Sequence, residues 1–141
     1  MMRKKNLIWL APLFIGFFGG YFLFGVSPVK TIIIGEKQFQ VEVADTPKQR
    51  ALGLGGRENL CEDCGMLFDF EKEGEYVFWM KDMRFDLDII WIRNRKIVYI
   101  AKNVSFSSPE ILRPDVLSDS VLEINAGLSE RYNFRVGDMV E

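Results

Sequence analysis

Histidine is missing altogether from these 141 residues. That absence removes Ser-His-Asp and Cys-His catalysis, the commonest general base near neutral pH, and every metal site that needs an imidazole. Cysteine is almost as scarce, with only Cys61 and Cys64, so a four-thiolate zinc site is out of reach. Charge is missing from residues 7–26, LIWLAPLFIGFFGGYFLFGV, which hold no Asp, Glu, Lys or Arg. A surplus of positive charge is missing too. With Arg3, Lys4 and Lys5 set aside, fifteen basic residues face twenty acidic ones, a formal charge of −5 over residues 28–141. This is not the footprint of a nucleic-acid partner. No repeat, polybasic patch or low-complexity linker interrupts the chain.

The uncharged run is what the sequence has in place of a second domain. At about 1.5 Å per residue a helix of that length spans about 30 Å, the hydrocarbon thickness of a bilayer. Basic residues before it are expected to stay in the cytoplasm, which sends the rest of the chain outward. A cleaved signal peptide is the rival reading, with GVS at 25–27 as a small-x-small pattern. Against it, Pro28 would follow the cut directly, and the run exceeds the about 7–15 apolar residues of a signal h-region. The expectation is a single-pass protein of the cell membrane. Residues 1–27 form the basic tip and signal anchor, residues 28–141 an extracytoplasmic domain close to the membrane, joined by SPVK.

Within that domain TIIIGEKQFQVEVA predicts a hairpin, with Phe39, Val41 and Val43 alternating along its second arm. Asp45 or Thr46 can cap a short helix over 47 to about 53, with Pro47 in its first turn and Gly53, Gly55 and Gly56 to stop it. GMLFDF predicts a strand followed by an acidic turn, EKEGE. YVFWMK and DLDIIWI predict strands joined through DMRF, and RNRK a turn into IVYIAK. Residues 103–118 predict a long surface loop. SVLEINAG predicts a late strand, LSERYNF a short helix capped by Ser129, and VGDMVE a closing strand or turn. The expected fold class is α+β and β-dominated: a curled sheet or partly open β-barrel with two short helices, preceded by one N-terminal transmembrane helix.

Four segments in this order, VEVADTPKQRALGLGGR, GMLFDF, FWMKDM…LDIIWI and VLEINAG…GD, are specific in combination. They resemble domain-of-unknown-function family 192 over about residues 31–140. The resemblance implies a small β-rich fold, often behind a signal or anchor, and supplies no activity and no catalytic residues. Family members usually carry Asn-Thr where this chain has Asp82 and Met83, and proline where it has Asp86. The Cys61–Cys64 pair is not a family feature.

Cys61 and Cys64 form a C-x-x-C motif. Redox enzymes place that motif at a helix N-terminus, where the thiolate is stabilised. Here Glu62 and Asp63 oppose a thiolate and a strand follows, so a small structural disulfide in an oxidising exterior is expected instead. Asp82, Asp86 and Asp88 read either as solvated or Arg-paired carboxylates or as oxygen ligands for calcium; no metal and no cofactor is assigned. Arg57, behind the glycine-rich stop, is expected to clamp Asp88. Trp79 and Met80 should face opposite sides of their strand, one into the core. The candidate ligand-binding set is therefore Arg57, Trp79, Lys81, Asp82 and Asp88. The expected function is that of a membrane-anchored extracytoplasmic binding or accessory domain. Its partners would be the membrane, through residues 7–26, and an envelope ligand or protein. A cell-envelope enzyme using carboxylates, or a thiol-redox protein acting through CEDC, are the alternatives.

Overall fold

The computed structural model describes residues 27–141. The apolar run and the anchor assigned to it lie outside those residues, and among the described residues no helix is long and apolar enough to cross a membrane. Eight strands and two short helices follow in the order β1 (Val29–Ile34), β2 (Lys37–Ala44), α1 (Pro47–Leu52), β3 (Cys64–Gly74), β4 (Phe78–Trp79), β5 (Leu87–Arg93), β6 (Lys96–Val104), β7 (Ile111–Leu112), β8 (Ser118–Asn125) and α2 (Leu128–Arg131). Six strands make one sheet in the order β1-β2-β3-β8-β5-β6. Only the β2–β3 pair is parallel, with α1 in the crossover between them; every other pair is antiparallel.

The fold is thus a β-dominated α+β fold with two short helices. Its sheet is open and no barrel closes: β1 and β6 share no ladder. The C-terminal residues bridge the gap instead. Ile33 and Glu141 exchange backbone hydrogen bonds of 2.7 and 2.9 Å, and the Ile97 amide donates to the Asp138 carbonyl at 3.0 Å.

Both faces of this sheet are covered, which explains the composition of its central strands. On one face Phe39, Val41, Ile90, Ile92, Leu122 and Ile124 pack against Leu128, Phe134 and Val140 from the C-terminal segment. On the other, Met66, Phe68, Ile89, Trp91 and Val121 pack against Leu54 and Met80, with Met83, Phe85, Leu112 and Val116 around them. A strand buried on both faces reads as a continuous apolar run rather than an alternation. β5 shows this directly, with its first six residues all buried. The Trp91 indole keeps its polar atom satisfied by donating to the Tyr76 carbonyl at 2.8 Å.

The β1–β2 hairpin turns where it was expected, with Gly35 in the left-handed region at φ 61°. Thr46, not Asp45, caps α1. Its side chain accepts from the Gln49 amide at 3.2 Å, while Gln49 Oε1 accepts from the Thr46 amide at 3.0 Å, a reciprocal capping box. Three expectations are corrected. The acidic stretch after Phe70 is not a turn; β3 continues through it to Gly74, with a register slip against β8 between Asp69 and Gly74. YVFWMK contributes only the two residues of β4, and these pair with β7 in a separate two-stranded sheet. No ladder was open to β4 on β5, whose edges are taken by β6 and β8. Ser129 does not cap α2. Gly127 occupies the N-cap at φ 84° without a side-chain bond, and the cap comes from Asp88 of β5, whose Oδ2 accepts from the Ser129 amide at 2.8 Å.

Candidate functional site

β8 alternates between the two faces of the sheet. Leu122 and Ile124 point to the C-terminal side, so Val121 and Glu123 point the other way. In register, Glu123 sits between Met66 of β3 and Ile89 of β5. A carboxyl is thereby placed inside an apolar layer, with only 5% of the residue exposed. Burial pushes its pKa up to about 8, with no hydrogen bond or opposite charge to offset the desolvation. Below that pH Glu123 is a neutral acid with a proton to donate.

Glu123 faces a cavity of about 650 Å³. One wall is the end of α1 and the loop after it, Arg50 to Gly56; the opposite wall is Glu75 to Trp79 with Lys81, Asp82 and Met83; Phe68 and Phe70 of β3 complete the lining. Aromatic packing makes these walls firm. Phe68 meets Phe78 edge to face at 4.9 Å between ring centroids, Phe78 meets Trp91 at 5.6 Å, and Phe70 stacks on Tyr76. The two walls are tied across the mouth, where the Gly56 amide donates to the Asp82 carbonyl at 2.8 Å. Both residues are in the left-handed region, at φ 77° for Gly56 and 59° for Asp82. Asparagine and aspartate are the side chains that best tolerate that conformation. Aspartate at position 82 therefore suits this turn, and Met83 adds an apolar side chain to the wall.

Of the residues singled out in the sequence, Trp79, Lys81 and Asp82 line this cavity. Trp79 is exposed and Met80 buried, on opposite sides as expected, and the Lys81 ammonium lies 5.9 Å from the Trp79 ring centroid. Arg57 and Asp88 do not line it, and they are not each other's partners. Arg57 forms a bidentate pair with Glu42 at 2.5 and 2.8 Å, which lowers the Glu42 pKa and raises its own. Asp88 points to the opposite face of the sheet. It is fully buried and accepts from the amides of Asn103 at 2.8 Å, Gly127 at 3.2 Å and Ser129 at 2.8 Å. The expected clamp fails because the alternation of β5 sends Asp88 away from the side on which the glycine loop lies. Asp86 is separate again, accepting from the Phe106 amide at 2.8 Å. Among the described residues no three Cys, Asp or Glu side chains gather in a way that could hold a metal ion.

Cys61 and Cys64 form a disulfide with Cα atoms 5.1 Å apart. It lies in the turn entering β3 rather than at a helix start, so no helix N-terminus is there to stabilise a thiolate. Glu123, whose carboxyl lines the cavity, lies within VLEINAG and is not among the residues that the sequence motifs point to. One signal could have found it: an acid within an apolar strand, at a position where both faces of the sheet are covered.

A family model described as "Uncharacterized ACR", DUF192, matches residues 30–141. The chain belongs to the DUF192 family. Two crystal structures resemble this DUF192 domain. A protein of unknown function from Novosphingobium aromaticivorans is 31% identical with a TM-score of 0.76, over 80% of this chain and 84% of that one. A protein from Sinorhizobium meliloti, named only as a proposed transcription regulator, is 30% identical with a TM-score of 0.78, over 82% of this chain and 94% of that one. No curated protein matches the chain.

Proposed function

We propose that this chain is a membrane-anchored extracytoplasmic binding domain. Its ligand is a small, largely apolar molecule that sits in the cavity and accepts a hydrogen bond from the neutral Glu123 carboxyl. The observation that carries this reading is Glu123 itself. A carboxyl enclosed by Met66, Ile89 and aromatic rings costs stability, and a leucine there would pack without that cost. A desolvated acid of this kind marks a functional site where it lies in a cleft, and here it opens onto a cavity. The aromatic lining supplies the apolar contact and Trp79, Lys81 and Asp82 stand at the wall. Regulation of transcription is not supported, because the acidic surplus of residues 28–141 opposes contact with phosphates.

A second reading draws on the same site. Glu75, Asp82 and Glu123 all line the cavity, and a carboxyl titrating near neutrality beside others suits acid–base catalysis. One set of variants separates the two. A thermal-shift screen of residues 27–141 against small molecules, at about pH 6.5 and about pH 9.5 to bracket the Glu123 pKa, should give hits that weaken at the higher pH. Glu123→Gln keeps a donor and should bind without that pH dependence; Glu123→Leu should stay folded and lose binding. Hits indifferent to Glu123→Leu would refute the assignment. A hit that Glu123→Gln binds but no longer converts would favour the enzyme.

A further inference from the structure

Around the cavity stand apolar side chains that no described residue covers. Leu52 is 68% exposed, Trp79 59%, Ile111 52% and Val77 43%. Leu52 closes α1, Val77 and Trp79 belong to the opposite wall, and Ile111 pairs with Trp79 across the small sheet. Leu52, Val77 and Trp79 line the cavity and Ile111 is the cross-strand neighbour of Trp79, so the four lie as a rim around its opening. Scattered single apolar residues need no explanation, but a cluster around a cavity does.

The chain itself indicates what covers that rim. Ser27, the first residue after the twenty-residue apolar run, accepts a hydrogen bond from the Gln49 side chain of α1 at 3.2 Å. The next carbonyl, of Pro28, accepts from the Val43 amide at 2.9 Å. Ser27 is therefore held against α1 at Gln49, less than one helical turn before Leu52. Trp79 with Lys81 beside it is the pairing that suits a bilayer interface, where an indole sits at headgroup level and an ammonium reaches the phosphates.

We infer that the rim formed by Leu52, Val77, Trp79 and Ile111 docks on the outer surface of the lipid bilayer, so that the cavity opens onto the membrane and takes its ligand from the lipid phase. This rests on the anchor reading of residues 7–26 and narrows the ligand to a membrane-partitioning amphiphile. It gives the carboxyl at the cavity floor an environment in which its proton is not lost to bulk water.

The test uses the full chain in phosphatidylcholine vesicles with and without brominated acyl chains, which quench tryptophans that touch them. Trp9→Phe removes the tryptophan of the apolar run, and the core residue Trp91, with no exposed surface, supplies a baseline read in Trp9→Phe/Trp79→Phe. Docking predicts loss of most Trp79 emission in brominated vesicles and protection from aqueous iodide. Leu52→Asp/Ile111→Asp, at two exposed positions, should restore the emission. Trp79 emission that ignores bromine but falls with iodide, in chain that stays on the vesicles after alkaline carbonate, overturns docking while leaving the anchor intact. Quenching that survives the double Asp substitution also overturns it. Chain stripped from the vesicles by carbonate overturns the anchor and the docking together.

Discussion

Two buried carboxylates in neighbouring strands show how side-chain direction decides a role. Asp88 faces the C-terminal segment and spends both oxygens on backbone amides, capping α2 and fixing the end of β6. Glu123 faces the cavity and has nothing to balance its burial. Their predicted behaviours differ accordingly. In Asp88→Asn one oxygen becomes an amide donor pointed at an amide N–H. That leaves a buried clash in place of charge-assisted bonds, and denaturant unfolding should show a loss of about 3 kcal/mol or more. For Glu123 the folded pKa of about 8 lies above the ordinary 4.5, so between those values the native state keeps a proton that the unfolded chain releases. Stability should therefore fall as pH rises through that window, by about 1.4 kcal/mol per pH unit and at most roughly 5 kcal/mol in all, then level off. Unfolding titrations across pH should show this slope in the parent protein and its absence in Glu123→Gln. Asp88 could be named from the sequence because it sits in a quoted motif. Its partners could not, because each comes from a segment at least fifteen residues away.

At the scale of elements, local chemistry was legible and non-local pairing was not. The Gly35 turn, the Thr46–Gln49 capping box with Pro47, and the apolar run from Ile89 to Ile92 in β5 each announce themselves within a few residues. The partner of β4 does not. FWM has strand composition, but which ladder it joins depends on β6 and β8 having filled both edges of β5, and β8 begins more than twenty residues further on. The acidic end of β3 misled for a related reason: strand continuation there depends on pairing with β8, while composition alone suggests a turn. The CEDC turn illustrates a locally legible element with a local consequence. The Asn125 side chain holds it to the end of β8, donating to the Leu60 and Cys61 carbonyls at 3.2 and 2.9 Å, so the disulfide stiffens a turn that is already tethered. Cys61→Ser/Cys64→Ser should fold and lose about 2 kcal/mol or less, because so short a loop has little closure entropy to remove. Intact mass of protein from its native compartment, measured without reductant, should be lower than the reduced form by two hydrogens. Free thiols there would count against the bridge.

For the whole molecule, the two sheet faces are unequal. One side is covered by Leu128, Phe134 and Val140 of the C-terminal segment, and it holds a cavity of about 610 Å³ lined by Ile32, Ile92, Arg95 and Val140. The other side is roofed by α1, the glycine loop and residues 76–83, and under this roof lies the cavity that Glu123 lines. Ser27 is held to Gln49 of α1, part of that roof, and Pro28 to Val43 of β2. An anchor there would hold the roof close to the bilayer, whereas a cleaved leader would leave Ser27 or Pro28 as a free end with no reason for the apolar rim beside it. The two cases differ in mass and in partition. If residues 7–26 span the membrane, full-length chain should remain in the membrane fraction through alkaline carbonate, with Arg3, Lys4 and Lys5 protected from protease added outside. Replacing two central residues, Phe17→Asp and Phe18→Asp, should cost about 5 kcal/mol or more of insertion free energy and shift the chain out of that fraction. A soluble product beginning near residue 28 would identify the run as a leader and release the roof from the membrane.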